Sequence, residues 1–181
     1  MKPRPKAFLN ESGLYDYAVR ALGRRMRTEA ELGRLMRSRV EPGLQGDEAV
    51  KAVIARLKER RYLDDRSYAE TFSRLRREND KFGQRRVRQA LGQKGVSSKV
   101  VDQVVTEGYA KTNEEALARQ YLERKRLRKP EDEKGTARVM RRLVAAGFST
   151  SVIYRILRQW DVPTESLDQL ENLSDLPGEE A

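Results

Sequence analysis

The chain contains no cysteine and no histidine. Without cysteine there is no disulfide, no zinc–thiolate centre and no thiol nucleophile. Without histidine, Ser-His and Cys-His nucleophile pairs and imidazole-ligated metals are excluded too. Strongly apolar residues are scarce: Leu, Ile, Val and Phe make up 40 of 181 residues, only just above the level at which chains tend toward disorder. One thick core is therefore excluded, and thin layers of helices with much of every helix exposed are expected. No glycine loop of the Walker or dinucleotide type is present, and no cofactor or metal is expected. No run is long and apolar enough for a signal peptide or membrane span, so a cytoplasmic location without membrane contact is the default expectation.

What is abundant is charge. Charged residues make up 36% of the chain and the formal net charge is +10. From Asp161 onward there are seven acidic residues and no Lys or Arg, which leaves the first 160 residues at +17. A body that basic carries a field suited to a polyanion, nucleic acid being the commonest. Arg outweighs Lys in it, and the guanidinium fork matches phosphate and carboxylate geometry. Residues 1–12, with Lys2, Arg4 and Lys6 around Pro3 and Pro5, read as a flexible basic arm. Residues 162–181 read as an acidic, disordered tail that competes with polyanions for the basic faces.

Apolar positions follow a helical period throughout, and no stretch alternates as a strand would. The spacing predicts helices over 15–26, 28–39 and 47–60, then 65–78, 84–94 and 97–106, then 112–128, 131–146 and 149–160. These form three three-helix repeats, 13–62, 63–108 and 109–161. The pattern Ala90-Leu91-x3-Gly95-Val96-Ser97-Ser98-x-Val100-Val101 recurs 52 positions later as Arg142-Leu143-x3-Gly147-Phe148-Ser149-Thr150-x-Val152-Ile153. The fold expected is all-α, tandem helix-turn-helix-like units stacked into an elongated, curved array. Gly95 and Gly147 suit left-handed helix C-caps, and Ser97 and Ser149 can cap the helices that follow.

The basic clusters carry the sharpest functional signal. Arg85, Arg86 and Arg88 gather on the second repeat's middle helix, with Val87, Ala90 and Leu91 turned inward. Lys134, Arg138, Arg141 and Arg142 repeat this in the third, opposite Ala137, Met140 and Val144. Arg20, Arg24, Arg25, Arg27, Arg34 and Arg37 supply a comparable run in the first. Faces so uniformly positive point to a phosphate-rich or acidic partner. Asp64-Asp65 is the paired carboxylate worth weighing for a hydrolase, and at a helix start such acids serve as caps. Tyr62, Tyr68 and Phe72 could stack bases, although Tyr68, Phe72 and Leu75 fall on one stripe and read as packing. The turn at Gly147, followed by Ser149, Thr150, Tyr154 and Arg155, could pass for a recognition helix of an autonomous helix-turn-helix DNA-binding protein or transcription factor.

Three stretches resemble a known family in order and spacing: Arg25-Met26-Arg27-Thr28-Glu29-Ala30-Glu31-Leu32-x2-Leu35, Arg61-Tyr62-Leu63-Asp64-Asp65-x2-Tyr68-Ala69, and Lys81-Phe82-Gly83-x-Arg85-Arg86-Val87-x3-Leu91-x2-Lys94-Gly95-Val96. They resemble the signatures of RecX proteins. Arg61 stands where that family usually has Gly, Gln84 where it has Pro, and the loop over 41–46 is longer. The resemblance implies three three-helix units and a non-enzymatic regulator; a monomer is expected. Such a protein lies along the RecA–DNA filament and negatively modulates its ATPase, strand exchange and extension in recombination and repair. It brings no catalytic residue. It leaves open whether single- or double-stranded DNA is itself a ligand, bound with weak sequence preference.

Overall fold

The computed structural model describes residues 8–160. Among them are nine α-helices and one π-helical turn, and no strand. In chain order the helices are α1 (Glu11–Arg24), α2 (Glu29–Arg37), α3 (Leu44–Glu59), α4 (Asp65–Leu75), α5 (Gln84–Gln93), α6 (Ser98–Tyr109), α7 (Glu114–Arg124), α8 (Glu133–Ala145) and α9 (Thr150–Gln159), with the π-helical turn Arg76–Asp80 extending α4. The fold is all-α. Residues 1–7 of the expected arm and the whole expected tail lie outside the described residues.

The described residues pack as two compact units, one of 8–72 with 90–106, the other of 73–89 with 107–160. In the first, Leu14 and Ala18 of α1, Leu32 and Met36 of α2, and Val50, Val53 and Leu57 of α3 close one core. In the second, Leu117, Tyr121 and Leu122 of α7, Met140 and Leu143 of α8, and Ile153, Ile156 and Leu157 of α9 surround Phe148. Each buried Leu or Ile contributes roughly 1.5–3 kcal/mol by leaving water. Tyr121 meets Phe148 edge to face at 5.8 Å.

Several helix ends differ from the expectation, each for a local reason. The first helix begins at Glu11, because the Asn10 side chain accepts from the Gly13 N–H and Leu9 N–H bonds Arg39 O at 2.8 Å. Residues 9–12 are therefore structure rather than arm. The third begins at Leu44, inside the expected loop. A Cβ at Gly46 would come within 2.0 Å of Glu41 O, so the glycine there admits the backbone of its own entry turn. The seventh ends at Arg124, well before 128. Its last carbonyls are closed by Arg126 N–H to Glu123 O at 3.0 Å and Leu127 N–H to Leu122 O at 2.9 Å. This is a Schellman ending with Arg126 in the left-handed position, φ 53°, which glycine usually takes.

One packing device occurs twice. In the first unit Thr28, the fully buried N-cap of α2, donates its hydroxyl to Lys94 O at 2.7 Å, and a Cβ on Gly95 would lie 2.3 Å from Ala30 Cβ. In the second, Gly83 N–H donates to Ala146 O at 2.9 Å, Arg85 N–H to Gly147 O at 3.3 Å, and a Cβ on Gly147 would lie 2.2 Å from Arg86 N. In both, free N–H groups or a capping hydroxyl at a helix start satisfy free carbonyls at a helix end, and opposite dipole ends meet. Gly95 and Gly147, at φ 82° and 88°, are thus required twice over, by backbone and by space.

Candidate interaction surfaces

On α1 and α2, Arg20, Arg24, Arg25, Arg34 and Arg37 are exposed, whereas Arg27 is half-buried and its Nε is enclosed without a partner. A groove of about 970 Å³ runs between α2 and α3. Arg34 and Arg37 line it with Lys51 and Lys58, over apolar walls from Ala30, Gly33, Ile54, Ala55 and Val100. None of Arg20, Arg24, Arg25 and Arg27 reaches it. Lys51 and Lys58 were not among the basic residues expected from the sequence; the packing of α2 on α3 gathers the four cations. Arg37 is held at 3.3 Å from Asp47 and Lys58 at 2.8 Å from Glu29, both at the surface, where such pairs contribute little.

In the second unit Arg85 and Arg86 on α5 are exposed, and Arg88 is half-buried. The Arg86 guanidinium lies 5.6 Å from the centre of the Phe82 ring. On α8, Lys134, Arg138, Arg141 and Arg142 are all exposed. Val144, expected to face inward with Met140, is instead 45% exposed, while Val139 is buried. The inward stripe of α8 is therefore rotated toward Val139, Met140 and Leu143. The start of α5 docks on the turn after α8, so the α5 and α8 clusters sit on helices joined end to start.

Not every cation is available. Arg56 stacks over Tyr15 at 4.3 Å, Arg39 over Tyr17 at 5.0 Å and Arg77 over Tyr109 at 5.7 Å. Arg77 also donates to Gly108 O. Burial pushes the Tyr109 hydroxyl up to about 12, and it donates to Phe82 O at 2.7 Å.

Both carboxylates of the Asp64-Asp65 pair act as caps. Asp64 accepts from Arg66 N–H at 2.8 Å, Ser67 N–H at 3.2 Å and the Ser67 hydroxyl at 3.0 Å, which holds it below the usual carboxylate range. Asp65 reaches across to accept from Glu29 N–H at 2.8 Å and so caps α2. Burial raises Asp65 above its ordinary value, with Glu29 and Asp64 adding repulsion. Nearby, burial pushes Glu31 up, but the Lys94 ammonium at 2.9 Å and the Thr28 N–H together bring it below the usual range. The rings of Tyr68 and Phe72 stack at 6.0 Å with Lys94 over both, so they serve packing; Leu75, placed on the same stripe, is 42% exposed.

Asp65 makes a prediction with a definite sign. A raised pKa means that the folded protein binds more protons than the unfolded chain, so this contribution is present at low pH and is lost as pH rises through the raised value. Asp65→Asn keeps the acceptor for Glu29 N–H and removes the titration. The stability of the wild type relative to Asp65→Asn should therefore fall as pH rises through the carboxylate range and the raised Asp65 value, measured by urea unfolding. Parallel profiles would contradict the burial of this carboxylate.

The would-be recognition helix α9 is largely engaged. Ser149, expected to cap it, makes no capping bond; its hydroxyl donates to Glu114 Oε2 at 2.9 Å and its N–H to Glu114 Oε1 at 2.7 Å. Arg155 is 3.2 Å from Glu115. Glu114 of the neighbouring helix α7 thus anchors Ser149 itself, through its N–H and hydroxyl, and Ser149 gives the first turn of α9 no side-chain cap.

The sequence profile of the second three-helix domain of RecX matches residues 64–105. Over 152 residues the chain is 34% identical to regulatory protein RecX of Mycolicibacterium vanbaalenii, covering 82% of this chain and 79% of that one. This chain belongs to the RecX family. Regulatory protein RecX of Pseudomonas entomophila is 32% identical over 148 residues, 80% of this chain and 90% of its own. A crystal structure of RecX from Lactobacillus salivarius superposes with a TM-score of 0.68 at 19% identity, over 83% of this chain and 96% of that chain. Another RecX crystal structure gives 0.68 at 24% identity, over 82% and 71%. These two establish the RecX fold of tandem helical repeats. Among the described residues no helix is long and apolar enough to cross a membrane.

Proposed function

We propose that this protein binds RecA–DNA filaments in the cytoplasm and lowers RecA activity, as a regulator rather than an enzyme. The observation that carries the reading is membership of the RecX family together with exposed arginine clusters on α5 and α8. Arg85, Arg86, Arg138, Arg141 and Arg142 present guanidinium forks to acidic protein or to phosphate without the cost of breaking a buried pair. The other unit carries its own positive surface, the groove cations Arg34, Arg37, Lys51 and Lys58. The hydrolase alternative is disfavoured because both oxygens of Asp64 and Oδ1 of Asp65 already accept hydrogen bonds at helix starts. The operator alternative is disfavoured because Ser149 and Arg155 are tied to Glu114 and Glu115.

The test is capture on RecA filaments assembled on single-stranded DNA with a non-hydrolysable ATP analogue, compared with capture on the same DNA alone. Stoichiometric retention on filaments, exceeding that on bare DNA at equal salt, is expected. Equal retention on both would reduce the protein to a DNA binder and overturn the regulator reading.

A further inference from the structure

The densest run of cations in the chain lies outside the faces considered so far. Arg124-Lys125-Arg126-Leu127-Arg128-Lys129 carries five positive charges in six residues, just after α7 ends. We infer that the α7–α8 loop, with Arg138 of α8, is a second binding site whose ligand is the phosphate backbone of nucleic acid.

The backbone gives the first support. Arg126 closes α7 at φ 53°, as Arg61 and Lys81 do at φ 58° and 59° after other helical segments, and this ending holds its exposed side chain at a fixed point of the backbone. Where a Cβ would clash, at Gly95 and Gly147, the chain does use glycine. At 126 the turn is exposed and arginine stands there instead. The attraction of a cation to a helix C-terminus accounts for Arg124 and Lys125, but it fades within the last turn and does not reach Arg128. Leu127, half-buried against the core below, anchors the loop, so its neighbours are displayed from a fixed point.

The surroundings give the second. A pocket of about 420 Å³ is lined by Arg126, Arg128, Lys129 and Arg138, with Pro130, Glu131 and Asp132 on the rim side of α8. Asp132 is committed, accepting from Gly135 N–H at 2.7 Å as the cap of α8, which leaves Glu131 as the nearby uncommitted acid. Among the described residues none of Arg124, Lys125, Arg126, Arg128 and Arg138 forms an ion pair. The loop carries no aromatic residue, so it can hold phosphates but cannot stack bases, and single and double strands should suit it alike.

This inference rests on the proposed function only for the source of the DNA, so its test contains no RecA. Binding of labelled single-stranded and duplex oligonucleotides is measured by anisotropy across a salt series. Three proteins are compared: wild type, a loop variant (Arg126→Gln, Arg128→Gln, Arg138→Gln), and a charge control (Lys99→Gln, Lys111→Gln, Arg158→Gln). The log–log salt slope on duplex should fall in the loop variant by roughly 0.9 per phosphate contact removed, up to about 3 in total, and stay near wild type in the control. Arg126→Gly should bind DNA more weakly while melting no lower than wild type, which separates lost contact from lost fold. Equal slopes in loop variant and control, undiminished binding by Arg126→Gly, or no DNA binding by the wild type would each overturn the site.

Discussion

Reversing the charge of both arginine clusters should nearly abolish inhibition of RecA, whereas reversing either alone should weaken it. The variants are Arg85→Glu with Arg86→Glu on α5, and Arg138→Glu, Arg141→Glu and Arg142→Glu on α8, all exposed positions. Arg88 is left alone because it is half-buried and engaged. Two linked sites act at a high effective concentration, so losing one shifts the inhibitory concentration by about tenfold and losing both by at least about a hundredfold. The fold should survive, since exposed charge changes typically move stability by less than about 0.5 kcal/mol. Arg86 gives up its contact with Phe82, at most about 1 kcal/mol more. Circular dichroism should report unchanged helix content. A folded double variant that inhibits as well as the wild type would move the contact surface elsewhere.

Gly147→Ala should be the most damaging single-atom addition to the fold. The position has φ 88°, and the added Cβ would meet Arg86 N at 2.2 Å, against backbone that a rotamer change cannot move. Left-handed strain of about 1 kcal/mol and overpacking of about 2 kcal/mol together cost about 3 kcal/mol. At ~3 °C per kcal/mol this lowers the melting temperature by about 10 °C. Gly92→Ala is the contrast, since nothing lies within 4 Å of its Cβ and it sits in α5. That change should raise stability by about 0.5 kcal/mol. Thermal melts of the two variants side by side decide it; similar small effects would mean that the turn after α8 is not seated on α5.

The helices and glycine turns were legible because they follow from local rules. Apolar spacing places Leu32, Val53, Leu143 and Ile156 on inward faces, and Gly95 and Gly147 stand where only a left-handed residue fits. Asp64 as a cap was legible for the same reason. Helix ends without glycine were not: Arg126 closes α7 by its backbone alone, and no residue type announces that. Contacts between distant segments were equally hidden. Nothing near Asp65 in sequence says that it caps α2, nothing near Ser149 says that Glu114 will take its hydroxyl, and Lys51 and Lys58 join Arg34 and Arg37 only once α2 packs on α3. The arginines were read too uniformly. Arg39, Arg56 and Arg77 cover tyrosine rings, a use that depends on tertiary placement and not on charge pattern. The run over 124–129 was passed over because it was read as the end of a helix, where a solvated cationic end is ordinary.

The central claim is that this protein regulates RecA by binding its filaments. The most direct measurement is RecA-catalysed ATP hydrolysis on single-stranded DNA, titrated with the full-length wild-type protein while filament co-sedimentation is followed in the same mixtures. Hydrolysis should fall as the protein appears in the pellet, with both saturating at the same ratio to RecA; unchanged hydrolysis with the protein left in the supernatant would contradict the account.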